Sequence, residues 1–578
     1  MLVALALTAL VIIVFQMAFP VKTPPGGAAR ADSLAAAATA SRAPAPAPAP
    51  AGATLPAAGG KSPAASGPTT GVAAVQPAVA AETTEVRTAH AIFRMTNVGA
   101  APLGVAMLDY KNLHPAPPTP LVDLGLPGAP MLRYRILAPH DTIDLSAITF
   151  RGTRSTGPNN SPVLTYQAAV RDAQITIKYA FDPDGYLAHV TGSVSGISGA
   201  YLLADLPDGL RSGEADTLDD QRALAYVVKR GHDDPQATLF DKLKPGETKI
   251  APAPVDWVAV KSKYFVVGIL APAGPGDSVA RQPFAEVDLL GGPRTGDAKT
   301  ATVAAATAVQ PLKDGTFAFD LYAGPQEWSR LHAVDRNFED VNPYGGFFHV
   351  VLQPFVTIIV QVLIWLRAHL QIGYGWIIII FGIGVRLLLW PLNQRAMRSN
   401  IKMQVLQPEL QAVQTRYKND PAKLQDAMMK VYKDHGMSPF SPIAGCLPLL
   451  IPMPILFTLF FVLRNTIEFR GVPFLWLHDI TLQDPLYILP LFMGATSYLV
   501  SWIGMRNTPP NPQTKMMSYM FPFMMTFFFL KVSAGLNLYY AVQNLATLPQ
   551  QWLLARERAK TLGSNAASPS TGKAVVSS

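Results

Sequence analysis

One arginine, Arg386, lies within an otherwise apolar run, Gly373-Tyr-Gly-Trp-Ile-Ile-Ile-Ile-Phe-Gly-Ile-Gly-Val-Arg386-Leu-Leu-Leu-Trp-Pro391. About 20 residues of this kind cross a bilayer as a helix, and an ionisable side chain among them costs about 3 kcal/mol on insertion scales. Two uses of the cation stay open on this segment alone. It can snorkel, because only about six residues, roughly 9 Å, separate it from the expected end of the span, and an arginine stem covers part of that distance. Or it can act, drawing a carboxylate or a polar chain segment into poorly screened surroundings where charge attraction is strong.

No other constellation offers chemistry. The chain has no Walker A loop, no GxGxxG after a strand and no HExxH, and its one cysteine, Cys446, has no partner for a metal or an intrachain disulfide. His90, His114, His140, His189 and His232 are scattered through the first half. No intramembrane run of carboxylates suggests a proton relay. Nothing calls for a cofactor, and nothing identifies an enzyme.

The elements around Arg386 belong to a membrane protein. Of 578 residues, 49% are hydrophobic and only 15% charged, against roughly 25% charged in soluble proteins. The net charge of +8 is spread out or lies beside apolar spans, where basic residues orient helices, so it is no footprint of nucleic-acid readout.

Residues 1–20 are apolar, either a signal h-region or a membrane anchor. Their length and the lack of a charged head favour a retained anchor, with a start upstream of Met1 as one explanation of the missing head. Residues 21–82 are Ala, Pro and Gly, clearest in Ala43-Pro-Ala-Pro-Ala-Pro-Ala-Pro50; such a stretch has nothing large to bury and reads as a disordered tether. From 83 to 335 period-two runs recur, as in Ile175-Thr-Ile-Lys-Tyr-Ala-Phe181 and Thr316-Phe-Ala-Phe-Asp-Leu-Tyr322, with turns such as Asp182-Pro-Asp-Gly185 between them. This alternation predicts half-buried strands and a two-sheet β-sandwich.

Residues 343–371 read as an amphipathic helix lying in the interface. Spans are predicted at about 373–392, 443–464, 486–505, 516–532 and 534–554, with Trp376, Trp390, Trp476, Trp502 and Trp552 near their edges. The segment 393–441 holds Arg395, Arg398, Lys402, Arg416, Lys418, Lys423, Lys430 and Lys433, whereas the 465–484 loop holds only Arg470 beside Glu468, Asp479 and Asp484. The positive-inside rule then places 393–441, 506–515 and the C-terminus in the cytoplasm, and the β domain outside. Met403, Leu406, Leu410, Val413 and Tyr417, then Leu424, Met428 and Val431 after Asn419-Asp-Pro421, predict a helical hairpin over about 393–440. It is either a packed pair without a role or a basic docking surface for a ribosome, a nascent chain or a partner. Residues 559–578 form a short cytoplasmic tail.

Several motifs in these segments carry a resemblance. They are Gly445-Cys-Leu-Pro-Leu-Leu-Ile-Pro-Met-Pro454, Trp476-Leu-His-Asp-Ile480, Asp484-Pro485, Tyr487-Ile-Leu-Pro-Leu-Phe-Met-Gly494 and Gly535-Leu-Asn-Leu-Tyr-Tyr540 with Asn544. In the outer domain they are Trp257-Val-Ala-Val-Lys-Ser-Lys-Tyr-Phe265 and Tyr322-Ala-Gly-Pro-Gln-Glu327. Together, over roughly 83–558, they resemble the YidC/Oxa1/Alb3 family of membrane protein insertases in its Gram-negative bacterial branch. The resemblance implies an α-helical polytopic membrane protein: an N-terminal anchor, a five-helix insertase core over 373–558, and an all-β periplasmic supersandwich domain. It implies a hydrophilic groove whose one arginine matches Arg386, with substrate-contacting positions at Leu456, Met493, Phe528 and Tyr540. It further implies an inner-membrane location with both termini cytoplasmic. The implied partners are nascent membrane proteins, the lipid bilayer, the Sec translocon with its accessory subunits, and the ribosome. The chain departs from the family pattern at Pro452, where a groove glutamine is usual, at Lys531, where an aromatic is common, and in the longer turn Ser438-Pro-Phe-Ser-Pro442.

Two rival functions make different demands. A transporter or channel predicts an inverted repeat and intramembrane carboxylates, neither of which the sequence has. A membrane-anchored sugar-binding or isomerase domain predicts converging histidines and carboxylates in 83–335 and passive spans.

Overall fold

The computed structural model describes residues 80–567, except 118, 172, 275–276, 281, 293–302, 343–348, 419, 436–452 and 507–511. The expected anchor at 1–20, most of the 21–82 linker, Cys446, Pro452 and the last residues of the tail lie outside the described residues.

Alternation in the sequence becomes a sandwich of antiparallel sheets. Strand Ala173–Phe181 buries Ile175, Ile177, Tyr179 and Phe181 and turns the residues between them outward, as a pleated strand with one wet face must. It lies in a nine-stranded sheet that runs from Gln236–Leu239 at one edge to Arg151–Thr156 at the other. A six-stranded sheet, from Thr248–Val255 to Thr142–Asp144, packs against it. Hydroxyls bridge the sheets through the core: Tyr134 and Tyr179 meet at 2.7 Å, and Tyr226 donates to the Ala304 carbonyl at 3.2 Å. A third, four-stranded sheet from Thr83–Arg87 to Leu121–Asp123 extends the same core, with Phe93 against Phe181 at 4.9 Å.

Strands Trp257–Lys261 and Phe265–Leu270 are buried throughout. Their outer face is covered by the chain that leaves the domain. Trp257 donates to the Arg336 carbonyl at 3.0 Å and meets Phe338 edge-on at 5.1 Å. The chain reverses there through Asp335, Arg336 and Asn337, all at positive φ (69°, 61° and 55°). Such a run is uncommon outside glycine, and the buried Arg336 guanidinium pins it by an ion pair to Asp320 at 3.0 Å.

Nine α-helices are described: α1 (Thr217–Arg222), α2 (Trp328–Val334), α3 (His349–Leu370), α4 (Tyr374–Arg416), α5 (Pro421–Asp434), α6 (Met453–Asn465), α7 (Ile488–Met505), α8 (Pro512–Phe529) and α9 (Ala534–Ala567). The expected first span and first hairpin arm are one continuous helix, α4. Asp420 caps α5 by accepting from Lys423 N, and Leu406, Leu410 and Tyr432 with Met428 and Val431 form the hairpin's seam. By length and apolar composition Leu352–Leu370, Tyr374–Gln394 and Ile488–Met505 can cross a membrane, and the apolar parts of α6 and α8 are shorter. Along α3, Leu352, Val356, Ile359, Val360 and Leu363 are buried, and the opposite side exposes Phe355, Ile358, Val362 and Trp365. The exposed side also carries Gln361, Arg367 and His369, so it mixes large apolar side chains with polar ones, as a helix at a membrane surface does.

The β domain is fastened to the loop between α6 and α7. Arg470 donates from Nε to both Glu214 carboxylate oxygens at 2.8 Å, from Nη1 to the Lys111 carbonyl at 3.0 Å and from Nη2 to the Gly213 carbonyl at 2.9 Å. Arg464 pairs with Asp219, which Lys263 also reaches at 2.9 Å, and Tyr264 donates to the Arg464 carbonyl at 2.9 Å. Burial alone lowers Lys263, but Tyr264 and Asp219 outweigh it and hold the ammonium above the ordinary lysine value. Ile467, from the loop, packs within the β-domain core.

The Arg470 and Glu214 side chains are only 3% and 6% exposed, so removing one strands the other. Glu214→Ala is expected to cost about 3–5 kcal/mol at this joint. Thermal unfolding of the detergent-solubilised protein should show a lower midpoint for that variant, and Glu214→Leu with Arg470→Met should recover most of the loss.

Candidate functional site in the helical core

The polar groups of the helical core sit on α9. Asn537, Gln543, Asn544, Thr547 and Gln550 recur along it, and no Asp, Glu, Lys or Arg occurs between Ala534 and Leu554. These polar groups lower the hydropathy of the expected 534–554 span, which is long enough to cross yet not apolar enough to stand among the three candidates. Each amide works on a neighbouring helix. Gln543 donates to the Gly382 carbonyl on α4 at 2.7 Å. Asn544 reaches α7, donating to the Met493 carbonyl at 3.2 Å and to the Thr496 and Ser497 hydroxyls at 3.1 and 2.7 Å. Asn537, fully buried, donates to the Phe529 carbonyl at the end of α8 at 3.1 Å.

Arg386 points into this arrangement. Its Nη2 donates to Gln550 Oε1 at 2.6 Å, and Gln550, 1% exposed, lies within 3.5 Å of the Trp390 carbonyl on α4. Arg386 Nε is buried without a partner. The guanidinium is therefore half-buried, held at one nitrogen and unsatisfied at another. Arg386 lies 12 residues beyond Tyr374, about 18 Å along α4. The start of α4 packs on the loop that carries Arg470, with Tyr374 edge-on to Phe469 and Trp376 to Phe474. The cation thus lies towards the hairpin end.

Two glycines set the helix spacing around these contacts. A Cβ on Gly494 of α7 would lie 2.0 Å from Thr526 Oγ1 of α8, and one on Gly382 would meet Val542 at 3.2 Å and Tyr539 at 3.4 Å. At the opposite end Asp484, fully buried, accepts from Trp476 Nε1 at 3.1 Å and from the Leu486 and Leu489 amides at 3.0 and 2.7 Å. This explains the spacing of Trp476 and Asp484-Pro485: the pair caps the entry to α7.

The four apolar positions fall unevenly. Leu456 on α6 and Tyr540 on α9 are half-buried at the edge of the core cluster, and Tyr540 meets Phe529 edge-on at 4.8 Å. Phe528 on α8 is exposed. Met493 is only 1% exposed and belongs to the core. Tyr540 stands ten residues before Gln550, about 15 Å along α9, so the structure does not gather all five residues around one point. Gln550 is the residue that sequence reading missed; the four- and three-residue steps Gln543 to Thr547 to Gln550 were the available signal. Lys531 is exposed, and Pro452 lies outside the described residues.

Comparison with known proteins fits both halves. A family profile described as 60Kd inner membrane protein matches residues 365–561, and one described as YidC periplasmic domain matches 86–358. A membrane protein insertase YidC of Pelodictyon phaeoclathratiforme is 33% identical over 439 residues, covering 72% of this chain and 72% of the relative. The chain belongs to the YidC family of membrane protein insertases. The insertase of the same name from Chlorobaculum tepidum is also 33% identical, over 66% of this chain and 65%, just under two thirds, of the relative. A crystal structure titled as an active YidC insertase with its first transmembrane domain resolved matches 82% of this chain and 93% of its own, at 17% identity and a TM-score of 0.33. The YidC family consists of inner-membrane proteins with transmembrane helices and a periplasmic domain, and its function is membrane protein insertion rather than catalysis.

Because Gln550 accepts from a half-buried cation, Gln550→Leu is expected to cost about 1.5–3 kcal/mol. A thermal melt in detergent should show the loss, and adding Arg386→Leu should restore part of it. Additive losses would mean that the two side chains are uncoupled.

Proposed function

We propose that this chain inserts nascent membrane proteins into the inner membrane and assists their folding, through a groove that contains Arg386 and uses no energy cofactor. The observation that carries this reading is the Arg386–Gln550 contact: one half-satisfied cation among apolar helices, backed by a row of uncharged amides.

A polar tail or short loop of a client enters from the cytoplasmic side and is drawn to Arg386. The benefit follows from insertion energies. One aspartate at the centre of a span costs about 3 kcal/mol, as much as roughly five to ten leucines contribute. A carboxylate about 5 Å from a guanidinium gains about 3 kcal/mol at an effective dielectric near 20, and less where water screens it. The cation therefore offsets the part of the barrier that the client's apolar segment cannot. That segment then slides along α6 and α8 into lipid, where its burial supplies the main driving force. Leu456, Phe528 and Tyr540 form its path. Met493 joins them only when α7 and α8 part, because its side chain is enclosed in the closed core.

In this reading both termini are cytoplasmic, an anchor at 1–20 precedes the linker, and five helices of 373–558 span the membrane. The β domain is periplasmic, and α3 lies at the periplasmic membrane surface. The basic hairpin receives ribosomes or nascent chains, and the protein works alone or beside the Sec translocon.

Arg386→Ala is expected to reduce insertion of an acidic-tailed single-span client about tenfold, the equivalent of ~1.4 kcal/mol, with Arg386→Lys restoring part of it. Insertion into proteoliposomes holding equal amounts of each protein measures this; unchanged insertion by the alanine variant removes Arg386 from the mechanism. A photo-crosslinker at Tyr540 or Phe528 should capture ribosome-bound nascent spans, whereas one at Leu388, 77% exposed on α4, should capture lipid.

A further inference from the structure

The apolar helices of the core are unequal in length, and α4 serves as a ruler for the others. Its apolar window, Tyr374–Gln394, has 21 residues, about 31 Å, which matches a hydrocarbon core of about 30 Å. Tyr374 therefore marks the hydrocarbon edge on the β-domain side. The window of α7 has 18 residues, about 27 Å, and the apolar part of α8, Ser518–Phe529, covers only about 18 Å. A span that stops short leaves the bilayer to thin around it unless other apolar groups make up the length.

The loop between α6 and α7 occupies the place where α8 falls short. Ala534 N donates to the Leu482 carbonyl at 2.7 Å and Gly535 N to the Ile480 carbonyl at 2.8 Å, so the loop lies against the turn between α8 and α9. A Cβ on Gly535 would lie 3.2 Å from the Ile480 carbonyl oxygen and 3.5 Å from the Ile378 side chain. Ile378 is one helical turn into α4, about 6 Å inside its start. This part of the loop is therefore below the hydrocarbon edge. Phe474 covers Gly375 at the first turn of α4, which puts Leu475 at the edge itself.

The loop is built for such a depth. Between Gly471 and Leu491 there is no Lys or Arg, and the carboxylates are Asp479 and Asp484, 8% and 0% exposed. Asp479 accepts from Gly471 N at 2.9 Å and from Thr481 N and Oγ1, both at 2.7 Å. Asp484 takes the Trp476 indole and two amides, and Phe474 and Leu477 exchange backbone hydrogen bonds at 3.0 and 2.9 Å. Irregular backbone is tolerated at membrane depth when the protein itself satisfies its polar groups in this way. Leu475, Leu486 and Tyr487 are 69%, 60% and 45% exposed. Leu475 and Tyr487 hold positive φ, 52° and 54°, uncommon for residues other than glycine. A contiguous exposed apolar patch marks a protein or membrane contact. Continuity with the starts of α4 and α7 assigns this one to lipid. The exposed polar side chains of the loop, His478 and Gln483, suit the headgroup boundary.

We propose that residues 471–487 are embedded in the outer leaflet, with Leu475, Leu486 and Tyr487 against phospholipid, and that they supply the apolar thickness α8 lacks. The embedded loop is then the dry seal over the outer end of the bundle. The placement requires only that α4 crosses the membrane and is independent of what Arg386 does.

Full-length protein carrying a genetically encoded dansyl amino acid at Leu475 or at Leu486 is reconstituted into vesicles of phosphatidylethanolamine and phosphatidylglycerol with brominated acyl chains. Bromines near the headgroup end of the chains should roughly halve the emission of either probe and act more strongly than bromines near the chain ends. Aqueous iodide should quench both probes weakly. The same probe at Ile250, equally apolar and 60% exposed on an edge strand of the β domain, should show the reverse. Emission at 475 and 486 that iodide quenches and brominated lipid leaves unchanged overturns the placement. Emission that neither quencher reaches also overturns it, because a second copy of the chain then covers the patch. If the probe at Leu475 prevents folding, the probe at Leu486 alone decides.

Discussion

A guanidinium among apolar helices must be held by polar atoms that the protein itself supplies. Lipid supplies none, and each unsatisfied polar group there costs several kcal/mol. The helical core is arranged around this constraint. Gln550 accepts from Arg386 and stands beside the Trp390 carbonyl, so the cation is tied to α9 beside its own helix. Gln543 and Asn544 extend the same device, linking α9 to α4 and α7 through carbonyls and hydroxyls. All these groups are uncharged amides. They bind the helices together without adding a counter-charge, and on the proposed function a counter-charge beside Arg386 would quench the attraction that draws a client.

At the joint with the β domain the rule is reversed, and the buried Arg470 charge is paired. Arg470 makes four hydrogen bonds to Glu214, Lys111 and Gly213, and its side chain is almost wholly buried. A saturated, buried ion pair is a poor attractor and a good fastener, because breaking it exposes an uncompensated charge. The two arginines therefore illustrate opposite uses of one side chain. Arg470 has spent its hydrogen bonds on structure, whereas Arg386 keeps a nitrogen without a partner.

The sequence revealed elements better than it revealed partners. Period-two runs located strands such as Ala173–Phe181, because one wet face and one dry face write themselves into alternate residues. The hairpin seam was equally visible from three- and four-residue spacing. The four-stranded sheet was not foreseen, since Ala101–Lys111 buries residues on both sides in its first half and so loses alternation. Helix α3 shows polar residues, Gln361, Arg367 and His369, among the large apolar ones of its exposed side, which is why its pattern in the sequence is weak. Long-range pairings left no local trace. Gln550 lies 164 residues from Arg386, and Glu214 lies 256 from Arg470. Read locally, Gln550 beside Pro549 is an end-of-span residue and Arg470 is a loop charge.

The placement of polar and apolar groups along the bundle bears on what can pass through it. Near the β domain the helices and the loop between α6 and α7 meet through Ile377, Ile378, Val462, Leu463, Leu477, Ile480 and Leu536, all at most 2% exposed. Towards the hairpin they meet through Gln543, Asn544, Gln550 and Arg386. A polar chain entering at the hairpin end is met by hydrogen-bonding groups for part of the way and then by a dry, packed layer. Crossing that layer without side exit would require every polar group to shed its water. Phe523, Phe527 and Leu388 are exposed on the flanks of the bundle, where an apolar segment can leave sideways at little cost. On the proposed function, a polar half-path that ends against a sealed layer, with apolar flanks beside it, resolves a client into a tail that must cross a shortened barrier and a span that need not cross at all.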